Sequence, residues 1–458
     1  MLDEPYTDGV GAILKEVIHY AGMSIEELEP LLKDLAFSSL KDAQGRMRFA
    51  GRAAFQRLQA LTERALLQSP QSRCLDVDRT ARLVRDSFGQ TFLGVDFPDF
   101  SEAELAAKFE QWIEKAANDC RHRVHLIPCD LALDGVGRIA FGPVTLHSRK
   151  AFWPGFEAEL ENYKQESNVV GRNFGDVATA AARDYLETFR DIAEVEVPSC
   201  DDPTSQLVAG AALQAVLDFL HVVAGASYTA RMRGPGPAVG ADRRATVTRV
   251  DGKLGITLSS RAAGAHIGNE AWQELTGPDG ERWLGPLASS LWALVERRDL
   301  SLFADRFIDA CGWYGDAARE PSPAAAAVKF VTAMERLLWT GETGPGVTRR
   351  VSERLAALCF STSTWNFAEV EAEVRDAYDL RSALLHGRIS KADPEVKRRL
   401  RLCERHARDL LLTWWNRYGR LFSTEITLEQ LRDMLDKFTR EARGAAKQGR
   451  SSTKPQPD

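Results

Sequence analysis

A chain of 458 residues allows about three domains at roughly 150 residues each, which excludes a short peptide or a single small module. With 44% hydrophobic, 27% charged and 9% aromatic residues and a mean hydropathy of −0.28, the composition is that of a folded globular chain and not of a disordered, collagenous or integral-membrane one. A net charge of −6 excludes a chain-wide basic coat, but residues 1–45 hold 3 basic and 9 acidic side chains whereas residues 381–458 hold 18 and 10, so a polyanion is expected at the C-terminal end if anywhere.

Residues 1–120 are predicted to be helical: SIEELEPLLKDL opens on Ser24 with acids in its first turn, and SEAELAAKFEQWIEKAAND carries Ser101 as N-cap with Glu104 three residues later. The N-terminus MLDEPYTDGV is acidic and has no apolar core of the secretory-signal kind. From about 121 the period changes. RVHLIPCDLAL and GRIAFGPVTLHS are short apolar runs separated by DGVG, which predicts a hairpin between them; His122 and His125 fall at its solvated strand entry. Helical patterns resume at about 172–190, followed by a short strand in EVEVP, a long apolar helix at 205–225, and a second hairpin from ATVTRV through DGK to LGITLS. The apolar helix contains Gln214, Asp218 and His221, polar groups that suit a buried core helix and not a membrane span. RGPGPAVGADRR has neither the glycine spacing nor the free amides of a phosphate-binding loop.

From 301 the pattern is helical almost to the end. Helices are expected at 301–317, in PSPAAAAVKFVTAMERLLW, at 347–360, in NFAEVEAEVRDAYDLRSALLHG and in DPEVKRRLRLCERHARDLLLTWWNRY, together a bundle over 301–422; residues 423–458 hold an amphipathic helix and an aperiodic tail. Residues 121–300 form a mixed α/β region, so the fold class is α+β and predominantly helical. The seven cysteines are odd in number, scattered and never spaced C-x-x-C, which suits a reducing cytoplasm and argues against a disulfide framework or a zinc site. The metalloprotease, P-loop, nucleophile-elbow and kinase motifs are all absent.

One segment carries chemistry. In YDLRSALLHGR, Arg381 and His386 are separated by four residues and Gly387 follows; Arg261 with His266 and Arg401 with His406 share the spacing but not the context. An A-x-E-x-L-L helix (Ala333, Glu335, Leu337, Leu338), then Tyr378, Arg381, Ser382, His386 and Gly387 in a Y-x-x-R-S-x-x-x-H-G segment, then a long basic helix, resembles the Apea-like branch of the HEPN superfamily over about residues 301–420. The family often has Asn or Asp where this chain has Ser382. The resemblance implies a HEPN-type helical bundle and a cytoplasmic, metal-independent endoribonuclease that dimerises to form its site and needs no cofactor, of the kind used in antiviral defence or as a toxin. It further implies an α/β region that senses a trigger or restrains the nuclease.

In that reading Arg381 and His386 are catalytic, with Glu335 and Ser382 auxiliary. RNA cleavage by its own 2′-hydroxyl requires a base, an acid and a cation on the phosphate; histidine titrates near neutrality, and arginine binds phosphate oxygens bidentately. Lys397, Arg398, Arg401 and Arg405 on the next helix would guide the RNA. Five residues apart on a regular helix, Arg381 and His386 stand about 140° apart, so either the helix end distorts or two subunits combine their motifs. Val370, Val374, Ala377, Arg381 and Leu384 follow helical spacing, which seats the arginine in an apolar seam. The alternative is a non-catalytic module that binds RNA or assembles a partner, with Arg381 meeting a carboxylate such as Glu335 and His386 favouring a helix C-terminus. Trp414, Trp415 and Tyr418 are expected in the core.

Overall fold

The computed structural model describes residues 4–24, 27, 38–93, 100–131, 137–168, 174–187, 189–229, 232–234, 243–250, 253–260, 275, 277–342, 346–360 and 367–447. Among the described residues the chain is predominantly helical, with fifteen α-helices and a small antiparallel sheet. The backbone groups into two compact units, 1–123 with 197–208 and 124–196 with 209–458.

The first unit is built on α1 (Tyr6–Ala21), α2 (Arg52–Gln68), α3 (Val77–Phe92) and α4 (Glu102–Ala117). Their apolar faces enclose one core in which Val10, Ile13, Leu61, Val84, Phe88, Phe109 and Ile113 are buried. The Ser101 expectation is met, since its hydroxyl accepts from Glu104 N and the Glu104 carboxylate accepts from Ser101 N. Ser24 and Glu27 make the same reciprocal pair, while the rest of SIEELEPLLKDL lies outside the described residues. A purely helical first quarter is corrected by a hairpin of β1 (Ser38–Lys41) and β2 (Met47–Ala50), four-residue strands too short for a clear period-2 signal.

The four-stranded sheet departs from the expected pairing. Its order is β3-β6-β5-β4, with β3 (Arg121–Cys129), β4 (Arg138–Phe141), β5 (Val144–Ser148) and β6 (Asp191–Cys200). The two apolar runs therefore do not form a hairpin with each other. The hairpin lies within the second run, where β4 and β5 turn through Gly142 and Pro143, and β3 pairs instead with β6, a strand longer than EVEVP alone indicates. Gly142 is required twice over: its φ is +60°, and a Cβ there would stand 2.6 Å from the Ala288 carbonyl oxygen.

Between β5 and β6 lie α5 (Arg149–Asn168), which the sequence reading misses because Pro154 and Gly155 interrupt its opening turns, and α6 (Phe174–Glu187). Then come α7 (Asp202–Ala224), the short α8 (Ala226–Thr229) and the hairpin of β7 (Arg243–Val250) and β8 (Lys253–Ser260), paired as expected. By length and composition α7 is the one helix among the described residues able to cross a membrane, but 67% of its most apolar window is buried in protein. The unanticipated α9 (Pro278–Val295) precedes the expected helices α10 (Leu302–Arg319), α11 (Pro323–Leu338), α12 (Val347–Phe360), α13 (Phe367–Leu385), α14 (Pro394–Tyr418) and α15 (Leu428–Lys447).

Local signals start these helices where the sequence places them: Ser301, Ser322 and Asp393 each accept a backbone N–H of the following turn, and Pro323 and Pro394 occupy first-turn positions. α11 is central and packs against α10, α12, α13 and α14. Its Ala324, Ala326, Ala327 and Ala333 are buried and permit close helix approach; Phe330, Val331, Met334, Leu337 and Leu338 fill the core. Trp414, Trp415 and Tyr418 are buried among Phe219, Phe303, Phe307 and Phe422, as expected.

The C-terminal carbonyls of α11 have no intrahelical partners and are taken up by arginines. Arg306 Nη1 donates to the carbonyls of Arg336 (2.8 Å) and Trp339 (2.6 Å), Arg354 Nη1 to Leu338 (2.7 Å), and Arg432 Nη2 to Thr340 (2.8 Å). The Arg354 side chain, 2% exposed, also pairs with Glu342 (2.8 Å) and Asp436 (2.7 Å). Burial raises the Glu342 carboxyl, but hydrogen bonds from Thr340 and the charge of Arg354 outweigh it and hold the group at about 2. Replacing Arg354 by Ala strands a buried carboxylate and a helix end together, so Arg354→Ala is expected to lose about 3–5 kcal/mol in denaturant unfolding; a loss under about 1 kcal/mol would show that α11 is closed by other means.

Candidate active site

The residues singled out in YDLRSALLHGR occupy the last turns of α13 and the turn after it. Val370, Val374 and Ala377 are buried, so the expected seam does face the core and Arg381 does lie in it. Its guanidinium reaches across to α11, where Nη2 stands 3.1 Å from Glu335 Oε2, with the two side chains 29% and 24% exposed. Arg381 Nε is buried without a hydrogen-bond partner among the described residues, as is the Tyr378 hydroxyl one helical turn earlier. Burial raises the Glu335 carboxyl and Arg381 lowers it, with burial the larger effect; Tyr378 is raised well above its ordinary value by burial and by the negative charge of Glu335.

The helix then ends on a Schellman motif. Gly387 has φ +66°, its N–H donates to the Leu384 carbonyl (3.3 Å), and Arg388 N donates to the Ala383 carbonyl (2.7 Å). Glycine is needed here because an L side chain rarely adopts that φ. His386 becomes the C-cap. Its side chain is exposed and has no hydrogen-bond partner among the described residues. The reversed chain brings Arg388 back over the helix end, where Nη2 donates to Ser382 Oγ at 2.7 Å. α13 remains regular through Leu385, so the distorted helix end offered as one way to converge Arg381 and His386 is not the arrangement found.

On α14 the four expected RNA-guiding residues divide. Lys397 and Arg401 are exposed and have no carboxylate partner among the described residues. Arg398 pairs with Glu395 (2.5 Å) and Arg405 with Glu373 (2.7 Å). Arg399 meets Asp376 (2.7 Å), and Arg408 donates to the carbonyls of Val222 (2.9 Å) and Val223 (2.6 Å) at the end of α7. The Arg401–His406 spacing match separates an exposed arginine from a buried histidine whose Nε2 meets Glu373 at 2.9 Å, and burial lowers that imidazole. Arg261 and His266 lie outside the described residues. Among the described residues no group of three or more His, Cys, Asp or Glu is placed to hold a metal ion.

A second polar centre lies inside the bundle. Asp218 of α7 is buried, and its Oδ1 accepts from Arg319 Nη1 (2.9 Å) and Gln214 Nε2 (2.8 Å). Burial outweighs the arginine and pushes its carboxyl up to about 6, while burial pushes nearby His221, which meets Thr229 Oγ1 at 2.6 Å, down to about 3. The sequence shows the polar residues on α7 but not their partner, because Arg319 lies 101 positions away.

Two expectations follow from this geometry. Between the ordinary 3.8 and about 6 the folded chain retains a proton on Asp218 that the unfolded chain has lost, so this group makes stability fall as pH rises through that window, by on the order of 3 kcal/mol in total. Asp218→Asn is expected to flatten that slope in thermal unfolding between pH 4 and pH 7; an unchanged slope would show that Asp218 is not its source. At the end of α13, Tyr378→Phe removes a hydroxyl without a partner and is expected to change stability by less than about 0.5 kcal/mol. Glu335→Ala deprives Arg381 of its counter-charge and is expected to cost about 1–3 kcal/mol; equal costs for the two variants would refute this division.

No family model matches this chain, and no curated protein or solved structure matches it either.

Proposed function

We propose that the chain is a cytoplasmic, homodimeric, metal-independent endoribonuclease of the HEPN type, with residues 301–422 as its helical bundle and the N-terminal and α/β regions restraining or triggering it, in antiviral defence or as a toxin. The observation that carries this reading is the exposed imidazole of His386 at the C-cap of α13, without a hydrogen-bond partner among the described residues and in the same two turns as the guanidinium groups of Arg381 and Arg388. An accessible imidazole can both take up and release a proton, the two transfers that this reaction needs.

The reaction balances without a metal. A base removes the 2′-hydroxyl proton, the O2′–P bond forms, the P–O5′ bond breaks, and an acid protonates the departing 5′-oxygen, leaving a 2′,3′-cyclic phosphate and a 5′-hydroxyl. Two His386 side chains, one from each subunit, supply base and acid, and arginine stabilises the crowded phosphate. Lys397 and Arg401, exposed and without a carboxylate partner among the described residues, extend the cationic surface along α14. The Arg381–Glu335 pair favours a second reading, a non-catalytic module that binds RNA or assembles a partner protein, because an arginine with a local counter-ion needs no substrate to satisfy it.

The two readings diverge in one assay. Purified wild type and His386→Ala are incubated with mixed tRNA and mRNA in excess EDTA, and new ends are mapped. Cleavage by wild type alone, with cyclic phosphate ends, is expected; undiminished cleavage by His386→Ala would remove the imidazole from the mechanism. RNA bound without cut ends by both proteins would favour the binding module.

A further inference from the structure

Resting on the ribonuclease reading, the charge distribution at the end of α13 assigns the phosphate to a residue outside the R-x4-H pair. Arg381 is compensated: Glu335 stands 3.1 Å from its Nη2, and the side chain is largely buried in the seam between α11 and α13. A phosphate approaching it competes with a carboxylate already in place and meets that carboxylate's negative charge. Arg388 differs on each count. It is exposed, it has no carboxylate partner among the described residues, and its guanidinium's one hydrogen-bond partner there is the neutral hydroxyl of Ser382 at 2.7 Å.

Two constraints already hold Arg388 in place. The left-handed Gly387 and the Arg388 N–H to Ala383 carbonyl bond fix its backbone, and the Ser382 hydroxyl fixes the end of its side chain. Only Gly387 separates it from His386 in sequence. With one Nη2 bond committed to Ser382, the remaining guanidinium donors are free for two phosphate oxygens in the fork geometry that lysine cannot reproduce.

We propose that Arg388, oriented by Ser382, is the phosphate-binding residue beside His386, and that Arg381 is a positioning residue that ties the end of α13 to Glu335 of α11. Ser382, which departs from the Asn or Asp common at that position in the family, then acts by aiming Arg388.

The test separates this proposal from the nuclease reading by using binding and cleavage together. A 2′-O-methyl RNA 12-mer, which cannot be cleaved through its 2′-oxygen, is titrated by fluorescence anisotropy across a range of NaCl concentrations against full-length wild type, Arg388→Gln, Arg388→Lys and Arg381→Gln, each checked for folding by circular dichroism; the same proteins are assayed for cleavage of tRNA. Arg388→Gln is expected to lower the slope of log affinity against log salt by about 0.7, one single-strand phosphate contact, while Arg381→Gln leaves it unchanged. Where wild type cleaves, Arg388→Gln is expected to reduce kcat by about 10²–10³-fold and Arg388→Lys to restore the salt slope but not kcat. A wild-type slope in Arg388→Gln, or a reduced slope in Arg381→Gln alone, overturns the assignment even if His386 proves catalytic. Failure of wild type to bind the 12-mer overturns it as well. A reduced slope in Arg388→Gln without cleavage by any protein supports the phosphate contact while counting against the nuclease reading.

Discussion

The second unit depends on how the C-terminal end of α11 is closed. A helix packed on four neighbours cannot turn its last carbonyls toward water, and here arginines from α10, α12 and α15 supply the donors. Each such arginine brings a positive charge that must itself be satisfied. Glu342, in the turn after α11, answers this by accepting from Arg354 and from Thr340, with Asp436 of α15 completing the set. The helix end, its arginines and its carboxylates are therefore coupled, so that removing one member leaves others without a partner.

That closure sets the position of the candidate site. Glu335 sits less than one turn before the end of α11, so whatever fixes the end fixes the carboxylate that meets Arg381. Through that pair the last turns of α13 are held beside α11. The Gly387 turn then places His386 and Arg388 outside the packed seam, where the chain leaves the core. Packing determines which polar groups stay inside and which are left accessible for chemistry.

Arginine-rich composition in the C-terminal third suggests a single basic surface, yet the structure shows several different uses. Arg306 and Arg408 serve backbone carbonyls, Arg354 serves a carbonyl and two carboxylates, Arg381, Arg399 and Arg405 serve carboxylates on neighbouring helices, and Arg388, Lys397 and Arg401 have no carboxylate partner among the described residues. A net positive count along 381–458 therefore overstates the charge open to a polyanion. The charge of each paired arginine is largely offset by a partner a few ångströms away.

The sequence by itself determined the features that arise within a few residues of each other. Ser101 with Glu104, Ser301, Ser322 and Asp393 start helices, Gly387 ends α13, and the Val370–Leu384 spacing marks the seam, because caps and periodicity act over one or two turns. Where a local breaker such as Pro154 lay inside a helix, or where strands were only four residues long, the same signals misled or fell silent. The tertiary structure alone decided the rest: that β3 pairs with β6, that Arg319 reaches Asp218, and that Glu335, which the sequence offers only as one candidate carboxylate, is the one that meets Arg381. Those partners are separated by tens to a hundred residues. Their meeting depends on how whole elements pack, which no local pattern of residues encodes.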